Sequence, residues 1–266
     1  MITSELLRRL PKAELHCHLD GSIRPATLLE LGRELNHAMP HDDAEALADY
    51  MRVDHARNLE EYLERFTVTL SVMQTAESME RVAYELAEDC AKEGVRYVEV
   101  RYAPILNVRE GLTLAQAVEH PLEGLRRAER EYGIKARVIV CAIRNMPPAT
   151  SLQLARLAVD FMGDGVVGFD LAGGEAGYPA TAHAAAFDHA IENGLCCTCH
   201  AGEGDGPASI AAAMHSCHAH RIGHGTRLIE DPALLAEVRE SGVVLECCLT
   251  SNVQTRVAAS YDTHPL

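Results

Sequence analysis

Short apolar runs alternate along this chain with longer stretches of helical periodicity. The runs with strand character are Ala13–His18, Val95–Arg101, Ala136–Ile143, Val166–Leu171, Leu195–His200, Arg221–His224 and Val243–Leu249. Between them, the spacing of apolar residues predicts helices over Ser78–Glu93, Leu114–Tyr132, Ser151–Met162, Ala180–Asn193, Pro207–Cys217 and Pro232–Ser241. The last of these has defined ends, with Asp231-Pro232 as an N-cap and N1 pair and Gly242 as the stop. A largely helical insertion, residues 24–75, separates the first two strands. Met1 to Pro11 reads as a short amphipathic helix carrying Leu6, Leu7 and Leu10, not as a cleavable signal.

Strands that alternate with single helices imply parallel βαβ units. Seven such units in one domain, residues 1–266, predict an α/β fold of the TIM-type (β/α) barrel class rather than a doubly wound sheet. A doubly wound nucleotide-binding fold would show a glycine fingerprint after its first strand. Here that turn reads Leu19-Asp20-Gly21-Ser22.

Composition narrows the function. No run of about 18 apolar residues occurs, so no membrane span is expected and the cytoplasm is the expected compartment. Acidic residues number 39 against 24 basic, a net charge of −15, which disfavours nucleic acid and anionic membranes as partners. Nine cysteines without a signal peptide argue against a disulfide framework. The Cys196-x-x-Cys199 spacing could bind zinc or do redox work. It lies in an apolar run, as does Cys247-Cys248, and the favoured interpretation is free thiols acting as small core hydrophobes.

In a parallel barrel the working residues stand at the C-terminal ends of the strands. His16 and His18 end the first strand, His200 the fifth and His224 the sixth, and Glu203 follows three residues after His200. Alternate residues of a strand face one side, so His16 and His18 project together while Cys17 projects away. Two neutral imidazoles on one face suit a borderline metal such as zinc, though the spacing alone is a weak signal. The alternatives are ordinary ones: a satisfied turn histidine at His224, a loop charge or helix cap at Glu203, and a cap on the helix near Arg24 at Asp20.

The ordered motifs carry more weight. Pro11-Lys12-Ala13-Glu14-Leu15-His16-Cys17-His18-Leu19-Asp20-Gly21-Ser22 resembles the opening motif of the adenosine deaminase family. Asp170-Leu171-Ala172-Gly173-Gly174-Glu175, His200-Ala201-Gly202-Glu203, Arg221-Ile222-Gly223-His224-Gly225 and Cys248-Leu249-Thr250-Ser251-Asn252 resemble its later strand-end motifs in order, with Thr263-His264-Pro265 trailing. The resemblance covers nearly the whole chain.

That resemblance implies one zinc ion per subunit on His16, His18 and His200, activating a water for attack on the amino-bearing C6 of a purine. Glu203 would shuttle a proton to purine N1, and His224 would orient the water and stabilise the oxygen that adds. The Gly173 N–H would meet purine N3, although the pair Gly173-Gly174 would also serve a tight turn. Asp20 would receive the ribose 5′-hydroxyl, favouring a purine nucleoside over a free base. Leu59, Tyr62, Leu63 and Phe66, at i, i+3, i+4 and i+7, form one apolar face that either covers the pocket or is simply buried. The implied reaction is hydrolytic deamination of adenosine or 2′-deoxyadenosine to inosine and ammonia in purine salvage. Adenine, or a modified nucleoside such as aminodeoxyfutalosine, is the alternative substrate. No Pro-Cys-x-x-Cys occurs, which excludes the cytidine-deaminase signature. Val166–Leu171 holds no lysine to bridge two metals.

The family pattern continues past His264-Pro265 into a last helix and an eighth strand ending in Asn-Thr-Asp. The first aspartate of that motif binds the zinc. This sequence stops at Leu266 without strand 8. The expectation is a piece of a longer product; a strand donated by a second chain and a non-catalytic short form are the other two possibilities.

Overall fold

A computed structural model describes residues 3–54 and 56–266 of the chain. Seven strands are hydrogen-bonded in chain order: β1 (Lys12–His18), β2 (Val95–Tyr102), β3 (Lys135–Ile143), β4 (Val166–Ala172), β5 (Cys196–Ala201), β6 (Arg221–His224) and β7 (Val244–Glu246). The pairs β1–β2, β4–β5, β5–β6 and β6–β7 are parallel. The helices are α1 (Ser4–Arg9), α2 (Pro25–Glu34), α3 (Ala44–Met51), α4 (Leu59–Leu63), α5 (Phe66–Val72), α6 (Ala76–Lys92), α7 (Gln116–Tyr132), α8 (Pro148–Asp160), α9 (Ala184–Glu192), α10 (Pro207–His215), α11 (Pro232–Ser241) and α12 (Leu249–Gln254).

Packing divides the chain into two compact units. The first comprises the described residues up to Met51, together with Phe66–Ile139 and Gly163–Val166. The second comprises Arg52–Arg65, Val140–Met162 and Val167–Leu266.

In the first unit, α6 opens on a capping box in which Thr75 and Ser78 satisfy each other's backbone N–H groups. It packs against α7 so closely that a Cβ on Gly124 would collide with the Glu80 carbonyl. Ala83, Ala87, Leu122 and Leu125 are buried on these helices, and β2 adds Val98 and Val100.

In the second unit, Phe169 of β4 meets Phe187 of α9 edge to face at 5.2 Å. The helix α11 begins and ends where its sequence requires. Asp231 accepts the Ala233 and Leu234 N–H groups, and Gly242 adopts the left-handed conformation at φ 77°.

Four expectations are corrected. The seventh strand is short, because after Glu246 the chain turns into α12, which buries Asn252 completely. The Leu59-Tyr62-Leu63-Phe66 stripe is not one helical face: α4 ends at Leu63, α5 starts at Phe66, and the two fall in different units. Cys197 and Cys199 are buried as small hydrophobes, whereas Cys196, at the first position of β5, and Cys247, just past the end of β7, are exposed. Helix α1 forms, but its Leu6 and Leu7 are exposed; Met1 and Ile2 lie outside the described residues. In addition, the predicted helix from Ala180 opens with a 3-10 turn over Ala180–His183 before α9.

Candidate active site

The first unit carries His16, His18, Asp20 and Phe66; the second carries Leu59, Tyr62, Gly173, His200, Glu203 and His224. In the first unit, strand alternation places the His16 and His18 rings side by side, with centroids 5.3 Å apart. Cys17 points away, its sulfur 3.6 Å from Ser22 Oγ, and burial pushes its thiol pKa up. The strand end is held from β2. Arg101, fully buried, donates to the Leu15 carbonyl at 2.6 Å, and its own carbonyl accepts the Leu19 N–H at 2.9 Å. Phe66 stands edge-on to His18 at 6.3 Å and lines the space at Gly21.

Asp20 is buried and its Oδ1 has no hydrogen-bond partner among the described residues. Burial raises its carboxyl to about 7, opposed by backbone hydrogen bonds from Asp20 and Gly21. It caps no helix, since α2 starts from Arg24 without a side-chain cap. An orphaned buried acceptor costs about 1–3 kcal/mol.

In the second unit, β4, β5 and β6 bring Asp170, His200 and His224 together. The buried Asp170 carboxylate lies 3.0 Å from His200 Nδ1 and also accepts the Leu171 N–H at 2.8 Å. That contact leaves His200 Nε2 as its lone-pair nitrogen, the arrangement of a metal-ligating histidine. The His224 ring is 5.3 Å from the His200 ring. His224 itself has φ 68°, a left-handed conformation that is costly for a residue with a side chain, and Gly225 follows at φ 66°.

Glu203 is nine-tenths buried, with Oε2 3.4 Å from His224 Nε2 and Oε1 3.4 Å from Ser251 Oγ. Burial raises its carboxyl to about 7, with His200 opposing and Glu175 adding to the rise. It caps no helix either, because α10 starts from Gly206. The loop carrying it is fixed by Glu175, whose carboxylate accepts the N–H groups of Gly202, Glu203, Gly204 and Asp205 at 2.6–3.1 Å. Leu59 is buried against this loop, and a Cβ at Gly204 would come within 2.9 Å of it; Tyr62 is half-buried on α4. Gly173 has φ 96°, so the turn after β4 needs glycine on conformational grounds. Arg144 donates to the carbonyls of His200 and Tyr178 and braces the end of β5.

Sequence reasoning assigned no role to Asp170, Glu175 or Asn252. Asn252 holds His224 Nδ1 at 2.9 Å. All three sat inside quoted strand-end motifs, which were the available signal.

A parallel β/α chain with imidazoles and a buried acid at its strand ends defines a hydrolytic enzyme of the barrel class. The family model described as adenosine deaminase matches residues 11–266. The chain is 41% identical over 266 residues to the probable adenosine deaminase of Dictyostelium discoideum, covering 100% of this chain and 34% of that one. It is 42% identical over 283 residues to the adenosine deaminase of Mycobacterium marinum, covering 100% and 78%. Among solved structures, adenine deaminase from Arthrobacter aurescens matches with a TM-score of 0.85 at 26% identity, covering 95% of this chain and 76% of that one. An amidohydrolase from Burkholderia ambifaria with bound zinc matches with a TM-score of 0.84 at 28% identity, covering 96% and 71%. Arabidopsis ADAL complexed with IMP matches with a TM-score of 0.84 at 30% identity, covering 98% and 77%. The chain belongs to the adenosine deaminase family, and its fold is that of the TIM-type amidohydrolase barrels.

Proposed function

We propose that this enzyme deaminates adenosine, or 2′-deoxyadenosine, hydrolytically to inosine and ammonia. The observation that carries the proposal is the buried pair Glu203 and His224, 3.4 Å apart, beside a His200 whose Nδ1 is tied to Asp170. By the family resemblance, His16, His18 and His200 would hold one zinc ion. Imidazole nitrogens suit zinc, the Asp170 contact orients His200 for it, and the relatives include a zinc-bound amidohydrolase. When bound, zinc would acidify a water and make it a competent nucleophile near neutral pH.

The protein's own groups then do the rest. His224 hydrogen-bonds the attacking water and the oxygen that bonds to C6. Glu203, with its carboxyl raised to about 7 by burial, holds a proton that it donates to purine N1 as the water adds. The Glu203 carboxylate recovers a proton from the attacking water, the water's other proton passes to the amino group, the C6–N bond breaks, and ammonia leaves to give inosine. The Gly173 N–H meets purine N3. The orphaned Asp20 Oδ1 accepts the ribose 5′-hydroxyl, which favours a nucleoside over the free base. By the family resemblance, Leu59, Tyr62 and Phe66 of the helical insertion would contact the nucleoside.

Nine free cysteines suit a reducing compartment, and the cytoplasm is the proposed location, with purine salvage as the setting. No helix among the described residues is long and apolar enough to cross a membrane. A second substrate class deserves a parallel assay, because structural relatives include an adenine deaminase and a protein complexed with IMP. Turnover of adenosine, adenine and AMP by the zinc-loaded natural protein tests the proposal. Preference for adenosine supports it, and preference for adenine or AMP overturns the nucleoside assignment.

A further inference from the structure

We infer that Asn252 and His264 are positioning residues that fix the tautomer of His224, holding its proton on Nε2. The inference follows from donors and acceptors taken one contact at a time. The backbone N–H of Leu266 can only donate, and it lies 3.2 Å from His264 Nδ1. Nδ1 therefore accepts, and the neutral ring carries its proton on Nε2. His264 Nε2 lies 3.0 Å from one polar atom of the Asn252 amide, which must then be the oxygen. The amide nitrogen consequently faces His224, where it is 2.9 Å from Nδ1.

An amide nitrogen donates and does not accept. His224 Nδ1 is thus an acceptor, and the ring proton resides on Nε2. That nitrogen is the one 3.4 Å from Glu203 Oε2. The contacts form one directed series in which each group donates to the next: Leu266 N–H, His264, Asn252, His224, and finally Glu203 as acceptor. Rotating the Asn252 amide by half a turn would set its NH2 against the His264 N–H, two donors facing each other. Asn252 is completely buried, so that mismatch would go unrelieved on its side.

The consequence concerns the site. A neutral His224 offers a hydrogen-bond donor toward Glu203 and cannot remove a proton through Nε2. Proton traffic then falls to Glu203, and His224 is confined to orienting the attacking water. This catalytic meaning rests on the deaminase proposal above, whereas the tautomer does not.

The test is nitrogen NMR of the natural protein labelled with 15N-histidine, with His224 assigned by its disappearance in His224→Gln. The expected spectrum shows His224 with an unprotonated Nδ1 and a protonated Nε2. Asn252→Asp, which replaces the donor by an acceptor, is expected to move the proton to Nδ1 and to lower kcat at least about tenfold with KM little changed. His264→Gln, which keeps a donor facing Asn252, is expected to retain the wild-type tautomer. A wild-type His224 protonated on Nδ1, or an Asn252→Asp protein with an unaltered tautomer, overturns the inference. The two proposals separate cleanly. An Nε2–H ring in a protein that does not deaminate adenosine leaves the relay standing and removes the deaminase assignment. An Nδ1–H ring in an active deaminase does the reverse.

Discussion

Asp170 lies 3.0 Å from His200 Nδ1, and both side chains are buried. The carboxylate orients the ring and makes its other nitrogen a better donor to a metal. Asp170→Asn is therefore expected to weaken zinc binding by about 10–100-fold. Competition against a chelator measures it, and kcat per bound zinc should fall much less than kcat per protein.

Glu203→Gln is expected to lower kcat by at least about 10²-fold, since on the proposed chemistry the amide could not deliver a proton to purine N1. Stability should change in the opposite direction. Burial raises the folded-state pKa of Glu203 from its ordinary 4.5 to about 7. The stability associated with its protonated form is complete below the ordinary value and is lost as pH rises through about 7. Thermal melts should thus show Glu203→Gln gaining on the wild type at mildly alkaline pH and not at acidic pH.

The orphaned Asp20 oxygen predicts how the enzyme treats a substrate without its 5′-hydroxyl. On the proposed assignment of Asp20 to that hydroxyl, its removal would leave a buried acceptor unsatisfied in the complex. We expect 5′-deoxyadenosine to lose at least about 10²-fold in kcat/KM. Asp20→Ala should narrow the gap between the two substrates, which steady-state kinetics would reveal.

In the first unit, Tyr132, Lys92 and Arg24 hold the Glu88 carboxyl down to about 2, from its ordinary 4.5. A depressed carboxyl stabilises the fold above its ordinary value, and that contribution disappears as pH falls toward 2. Glu88→Gln is expected to destabilise the protein near neutral pH and to converge with the wild type in acid melts. A constant difference across that range would contradict the assignment.

Much of the fold was legible because the governing signals are local. The Asp231-Pro232 cap and Gly242 stop set α11, and β6 spans Arg221–His224 in both sequence and structure. The errors arose where long-range packing decided. Cys247-Cys248-Leu249 continues an apolar run with no breaker, yet α12 starts there to bury Asn252. Glu64-Arg65 contains no glycine or proline, so periodicity could not reveal that the helix is interrupted. The histidines at the ends of β1, β5 and β6 were visible as strand-end residues. Their supports were not: Asp170, Glu175 and Asn252 meet partners about 30 residues away in the chain, and no spacing rule connects them.

The central claim is tested most directly by following adenosine turnover in the purified natural protein as zinc is removed and restored. The account predicts deamination to inosine that vanishes with the metal, returns at one zinc per subunit, and stays absent in Glu203→Gln at full zinc occupancy. Undiminished turnover in the metal-free protein, or by zinc-loaded Glu203→Gln, would contradict it.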